Sequence, residues 1–309
     1  MENFKYSNSN KRYHTLDYYY KNKFNSKVCK VSLNAGFSCP HLNTGGCIFC
    51  SKSGSGEFGG NINDDLVTQF ESVKEVLSRK WKSCKYIGYF QARTNTYAKV
   101  EVLKEKYETI LNLPNVIGLS IATRPDSISD ECLDYLCELN KKTYLTIELG
   151  LQTIHEKTSI FINRRHTLKC FEDMVNKLRS KNINVVVHII NGLPYETEEM
   201  MLETVKYLNN LDINGIKIHM LSILKNTKLH EIYEKEPFKL LSMDEYIEIV
   251  CKQITYLREE IVIHRLTGDP LKEDLIAPLW LPKKIDVLNG IDKYMVKYDL
   301  YQGKNLKKS

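Results

Sequence analysis

The residues best suited to chemistry lie early in the chain, where Cys39, Cys47 and Cys50 punctuate a glycine-rich loop. Cys47-Ile-Phe-Cys50 lets two thiolates converge on one centre from a tight turn. Gly45 and Gly46 give the backbone freedom to fold around that centre. Seven residues separate Cys39 from Cys47, and it joins the other two if that intervening chain loops out. Three cysteines are the discriminating count. A structural zinc closes a tetrahedral site with four ligands, and the candidates for a fourth are His41, on the loop, and Cys29, inside the first strand. Thiolate-rich sites equally suit iron–sulfur clusters. Three thiolates on a four-iron cluster leave one iron open to a small molecule, and an open iron implies chemistry.

The elements that must position this loop are legible in the periodicity. Runs rich in β-branched and aromatic residues at 28–33, 86–90, 116–122, 144–149, 183–190 and 216–221 read as strands, several nearly continuous in apolar residues as buried parallel strands are. Helical patterns at 64–80, 100–111, 129–140, 167–181 and 196–210 separate them, with Ser129 and Thr197 ahead of acidic residues as start signals. Strand–helix units of roughly 30 residues predict an α/β barrel, full or partial, with an open doubly wound sheet as the other possibility. The cysteine loop follows the first strand, at the end where parallel barrels build active sites. Residues 1–27 read as a basic and aromatic segment, 28–221 as the core barrel, and 222–309 as a C-terminal extension. The extension holds helical patterns at 227–235 and 243–260 and one further strand at 261–266.

Composition bounds the setting. Hydrophobic residues make up 42% and charged residues 27%, and the longest apolar runs are strand-length, so no membrane span is expected. The N-terminus lacks an apolar stretch after its basic residues, so no signal peptide is read and the cytoplasm is the expected compartment. In that reducing setting, clustered cysteines are ligands or catalytic groups rather than disulfides. The six scattered ones (Cys29, Cys84, Cys132, Cys137, Cys170, Cys251) read as small buried hydrophobes. The net charge of +6 is concentrated at the ends: residues 1–30 hold seven Lys/Arg against two Asp/Glu, and 283–309 hold seven Lys against three Asp. Two basic ends suit a polyanion-binding surface or simple solubility. Tyr13, Tyr18, Tyr19, Tyr20 and Phe24 interleave with Lys11, Arg12, Lys21 and Lys23, which suits either base stacking or a helix packed on the barrel.

The cysteine loop on the first strand of an α/β barrel resembles the radical S-adenosylmethionine (SAM) superfamily. The resemblance is closest to its YhcC-like family, related to the elongator catalytic subunit, and runs almost end to end. It is carried by Lys30-Val-Ser-Leu-Asn34, Gly45-Gly-Cys-Ile-Phe-Cys50, Tyr89-Phe-Gln-Ala-Arg-Thr-Asn-Thr-Tyr97, Ala122-Thr-Arg-Pro-Asp126 and Glu148-Leu-Gly-Leu-Gln152. It continues through Asn163-Arg-Arg-His166, His188-Ile-Ile-Asn-Gly-Leu-Pro194, Lys217-Ile-His219 and Ile263-His-Arg-Leu-Thr-Gly-Asp269. The common superfamily spacing puts three residues between the first two cysteines; here there are seven, as in the branch with longer first gaps.

The resemblance implies a partial (β/α)6 TIM-type barrel and a [4Fe-4S] cluster on Cys39, Cys47 and Cys50, with SAM on the open iron. It further implies an electron donor such as flavodoxin or ferredoxin, and tRNA as partner, through aminomethyl-type modification of a wobble uridine. Cofactor contacts are expected at Gln91, which could take the SAM amino group with Thr94 and Asn95 as runners-up, and at Thr123, Glu148 and Gln152. Arg164 or Arg165 suits the SAM carboxylate, because a guanidinium fork matches two oxygens. Asn191 and Gly192 would border the adenine. Arg124 and Asp126 stand between a direct role and a solvated pair. His188 and His219, inside strands, read as satisfied core residues.

Overall fold

The computed structural model describes residues 4–51, 54, 59–268 and 270–306. Lys52, Ser53, Ser55 and Gly56 of the cysteine loop, and Asp269 of the last motif, lie outside the described residues. The strands are β1 (Val28–Leu33), β2 (Lys85–Phe90), β3 (Val116–Thr123), β4 (Tyr144–Gln152), β5 (Asn184–Asn191), β6 (Gly215–Met220), β7 (Ile223–Leu224), β8 (Val262–Arg265) and β9 (Leu275–Ala277). The helices are α1 (Leu16–Phe24), α2 (Leu66–Lys80), α3 (Val100–Leu111), α4 (Asp130–Lys142), α5 (Glu156–Phe161), α6 (Leu168–Ser180), α7 (Glu198–Leu208), α8 (Lys228–Lys235), α9 (Met243–Tyr256) and α10 (Lys284–Lys297). Their starts follow side-chain chemistry. Asp65, Ser129, Thr167, Thr197 and Thr227 each accept a hydrogen bond from a first-turn backbone N–H, and Ser242 with Glu245 forms a full capping box.

Seven strands form one parallel sheet in the order β1-β2-β3-β4-β5-β6-β8, so the strand expected in the C-terminal extension adds to the barrel sheet itself. Its core is aliphatic on the helix side, with Val31, Leu33, Leu119, Ile121, Leu145, Ile147, Val185, Val187, Ile216 and Ile218 at 0% exposure. The sheet is strongly curled. In a flat sheet β2 and β6 would lie four strand spacings, about 19 Å, apart. Instead, Lys217 Nζ on β6 donates to the Tyr89 hydroxyl on β2 at 3.0 Å. The result is an open α/β half-barrel with a polar interior.

The strand-start end of this barrel is covered by α1. Tyr20 is buried against Val28 and Ile87, its ring centroid 5.7 Å from that of Phe24 and 6.1 Å from that of Tyr144. The rings of Tyr20 and Phe24 are therefore engaged in packing, as the helix reading of this segment expected. Just before α1, the His14 carbonyl accepts from Ile263 N–H at 2.8 Å and covers the exposed edge of β8. The C-terminal Gln302, fully buried, accepts from His14 N–H at 2.8 Å, and Arg12 pairs with Asp299 at 2.7 Å. The two basic ends of the sequence thus meet on one side of the molecule. Among the described residues, no helix is long and apolar enough to cross a membrane.

Candidate active site

The cysteine loop is fixed from three sides. Thr94 N–H donates to the Ser38 carbonyl at 3.3 Å, and Arg93 N–H to the Gly54 carbonyl at 2.8 Å. Ile48 N–H donates to the Ile162 carbonyl at 3.1 Å, Asn163 Nδ2 to the Gly46 carbonyl at 2.5 Å, and Leu229 N–H to the Ile48 carbonyl at 2.9 Å. The loop's reversal needs two successive left-handed residues, Gly45 at φ 92° and Gly46 at φ 61°, which glycine adopts without a steric penalty.

Cys39, Cys47 and Cys50 all line the mouth of one cavity of about 450 Å³, within the size range of small-molecule sites. Cys47 is acidified to about 7. Its hydrogen bond with Cys50 is the largest cause, burial opposes it, and the charge and hydrogen bond of Arg124 favour the thiolate further. The two candidates for a fourth zinc ligand are engaged elsewhere. His41 Nε2 lies 3.2 Å from Asp126 Oδ2, and Cys29 Sγ lies 2.9 Å from Cys84 Sγ. Among the described residues, no three His, Cys, Asp or Glu side chains close around one point tightly enough for a single ion. A donor set of three thiols at a cavity rim, one of them readily ionised, fits a multi-iron cluster, which holds its thiolates farther apart than one ion does.

The structure divides the expected cofactor contacts into two groups. Gln91, Thr123, Glu148 and Gln152 line the cavity with the cysteines, as do Thr94 and Arg124. Thr123 Oγ1 lies 2.6 Å from Thr96 Oγ1, which fixes its hydroxyl. Gln152 adopts φ 63° where the β4–β5 register breaks, and its side chain folds back over Gly150.

The others make contacts outside that lining. Arg164, 2% exposed, donates to the carbonyls of Leu151 at 2.6 Å, Thr153 at 2.5 Å and His166 at 3.1 Å, so it braces the chain after β4. Burial first, and repulsion from Arg124 second, lower its guanidinium to about 10. Arg165 bonds Asn163 Oδ1 at 2.8 Å on the exposed side. Asn191 exchanges two hydrogen bonds with Gln253, at 2.8 and 2.9 Å, and Gly192, at φ 79°, abuts Met220. None of these four is among the described residues lining the cavity with the thiols. Asn95, fully buried, staples Phe90 to Ala122 through its amide.

The floor of the cavity holds charges that strand assignment alone did not connect. Glu148 Oε1 accepts from Lys30 Nζ and Ser120 Oγ, both at 2.6 Å; Oε2 accepts from Lys217 Nζ at 2.5 Å and His188 Nε2 at 2.7 Å. Burial would raise the Glu148 carboxyl, but Lys217 and Lys30 hold it well below the usual range. Lys217, 5% exposed, is lowered to about 7 by burial, which outweighs the attraction of Glu148, while Lys30 and Arg265 repel it further. His188 and His219 line the cavity as well. The signal was present in the sequence: Lys30 and Lys217 interrupt strands that are otherwise largely apolar, and such residues point into a barrel rather than toward its helices.

A curled parallel half-barrel with three cysteines on the loop after its first strand defines a class, and the chain belongs to the Radical SAM superfamily. Residues 38–208 match that superfamily, and residues 213–297 match the Radical_SAM C-terminal domain. Among relatives, protein YtqA of Bacillus subtilis is 51% identical over 97% of this chain and 95% of its own. Protein YhcC of Escherichia coli is 32% identical over 88% and 89%, as the motif resemblance indicated. A tRNA uridine(34) acetyltransferase of Methanocaldococcus jannaschii is 24% identical over 60% of this chain and 34% of its own. Among solved structures, Elp3 of Methanocaldococcus infernus superposes with a TM-score of 0.71 at 18% identity, over 90% of this chain and 64% of that one.

Proposed function

We propose that the chain is a radical SAM enzyme that modifies a tRNA nucleoside, with aminomethyl-type chemistry at a wobble uridine as its target. The reading is carried by one observation: Cys39, Cys47 and Cys50 share a single cavity with Gln91, Thr123 and Gln152. When bound, a [4Fe-4S] cluster held by the three cysteines supplies the electron that cleaves SAM reductively.

The chain's own residues then have separable tasks. Arg124 favours the thiolate of Cys47, the form that ligates metal. Gln91, Thr123 and Gln152 offer hydrogen-bonding groups to the cofactor beside the thiols. The backbone anchors of the cysteine loop keep the rim in place, and α1 covers the opposite end of the barrel. The tRNA assignment is supported by the meeting of both basic ends on one side of the molecule and by the kinship with a tRNA uridine(34) acetyltransferase.

Two experiments separate the levels of this reading. Anaerobically reconstituted protein with dithionite and SAM should release 5′-deoxyadenosine, and Cys50→Ala should not. Protein that holds iron yet never cleaves SAM would end the enzyme reading. Nucleoside mass spectrometry of tRNA from a deletion strain should show a changed wobble uridine, and an unchanged profile would remove tRNA as substrate.

A further inference from the structure

We propose that Cys29 and Cys84 form a redox-active dithiol on the outer face of the barrel, closed to a disulfide by a small external disulfide such as oxidised glutathione. The inference stands apart from the SAM chemistry above and concerns two thiols that no step of it uses.

The sequence sets these residues 55 positions apart, among the cysteines expected to be small hydrophobes. The fold brings their Sγ atoms to 2.9 Å, so an approach of about 0.9 Å reaches bonding distance. Cys29 shares the helix side of β1 with Val31 and Leu33 and is 5% exposed. It therefore faces away from the cavity that Cys39, Cys47 and Cys50 line. Cys84 is half-buried and stands in the short connection between α2 and β2. Lying outside both elements, it can make that approach without bending a helix or a strand on its own side.

The exchange balances with the external disulfide as its one co-reactant. The Cys84 thiolate attacks a sulfur of that disulfide, forming a mixed disulfide and expelling one thiolate. The Cys29 thiol then gives up its proton, attacks Cys84 Sγ and expels the second thiolate. Both cysteines are oxidised, the external disulfide is reduced to its two thiols, and the cysteine protons end on those thiols. The order follows from exposure. Burial first, and the hydrogen bond with Cys84 second, raise the Cys29 thiol, which leaves the half-buried Cys84 to open the reaction.

In a reducing compartment such a bond forms and reopens with the state of the thiol pool. When closed, it joins β1 to the chain just ahead of β2, across a stretch that carries α2 and all three rim cysteines. Closing a long loop restricts the unfolded chain, so the bond acts as a staple on the unit that presents the cysteine loop.

The test is a peptide map. Reconstituted protein is incubated anaerobically with oxidised glutathione, its remaining thiols are blocked with N-ethylmaleimide in denaturant, and it is digested without reductant. Mass spectrometry should find the Cys29 and Cys84 peptides joined. Cys29→Ser should stop at a glutathione adduct on Cys84, and Cys84→Ser should give no joined peptide. Thermal unfolding followed by circular dichroism should place oxidised wild type at least about 4 °C above the reduced protein, a gap that Cys84→Ser lacks. Should either serine variant fail to fold, the wild-type map and the other variant decide. A wild type in which both cysteines carry N-ethylmaleimide, or in which either is joined to a different cysteine, overturns the pair. A joined pair with no rise in melting temperature overturns the staple.

Discussion

Asp126 holds Arg124 by two parallel hydrogen bonds, Nε to Oδ1 at 2.8 Å and Nη2 to Oδ2 at 2.7 Å, and so aims its guanidinium at Cys47. Nη2 also donates to the Arg164 carbonyl at 2.7 Å, which locks the side chain between β3 and the chain after β4. A fork held at both tines is a fixed charge rather than a mobile one.

That fixed charge has a measurable consequence for the metal-free protein. The rate of Cys47 alkylation by iodoacetamide should rise with pH around a midpoint near 7. Arg124→Met should move the midpoint upward, since the charge and hydrogen bond of Arg124 are gone while the hydrogen bond with Cys50 and the weaker charge effect of Arg164 stay. An unmoved midpoint would show that Arg124 does not acidify the thiol. Peptide mass spectrometry keeps the readout specific to Cys47.

Asn191 and Gln253 make a reciprocal amide pair in the fully buried layer between β5 and α9, and Gln253 also donates to the Met201 carbonyl at 3.0 Å. Truncating one amide strands the other without a partner. Asn191→Ala should therefore cost on the order of 2–3 kcal/mol in urea denaturation. The double variant Asn191→Leu/Gln253→Met should cost clearly less than the two single changes together, because it removes both polar groups. SAM affinity should be unchanged in any variant that folds. A specific loss of SAM binding in Asn191→Ala would restore Asn191 to the cofactor site.

What the sequence disclosed, and what it withheld, follows from the reach of local pattern. Strand β1 was legible residue for residue, and β2 to within one residue, because apolar runs with β-branched and aromatic residues leave little alternative. The meeting of Cys39, Cys47 and Cys50 at one cavity was legible because all three lie on a single loop. Arg164 and Arg165 were not separable from Arg124 by type, since the same guanidinium can brace three carbonyls or face a thiol. Which it does depends on contacts between β3, the cysteine loop and the turn after β4. The assembly of Lys30, Glu148 and Lys217 depends on the curl of the whole sheet, which brings β1, β4 and β6 to one point; no window of sequence contains that distance.

Buried neutral histidines make the fold sensitive to acid. His188 is held at about 4 by burial first and Lys217 second, against its hydrogen bond to the Glu148 carboxylate. His166 is also held at about 4, by burial and by the charges of Arg164 and Arg124. In the unfolded chain both return to about 6.5. Between about 6.5 and 4 the unfolded state therefore binds more protons, and stability falls as pH drops through that window. Its contribution is intact above 6.5 and gone by about 4. Urea denaturation at pH 7 and pH 5 should differ by on the order of 2 kcal/mol for each such histidine. His188→Gln should show a smaller difference than wild type, and an equal one would mean that His188 is charged in the folded protein.

Gly150 is where backbone and cavity meet most closely. A Cβ added there would come within 2.6 Å of Gln152 Nε2, the far end of a side chain that can swing away. Gly150→Ala should therefore leave stability within about 1 kcal/mol of wild type while displacing Gln152 from its place over the strand. If Gln152 contacts the cofactor, SAM affinity should fall about tenfold in Gly150→Ala and by a similar factor in Gln152→Ala. The double variant should be no weaker than either, because both changes remove the same contact. The comparison discriminates in a way that a single substitution does not. If Gln152→Ala binds SAM as wild type does and Gly150→Ala binds it weakly, the added methyl is blocking the cavity and Gln152 is a bystander. If both bind normally, the cofactor lies nearer Gln91 and Thr123, on the β2 and β3 side of the rim.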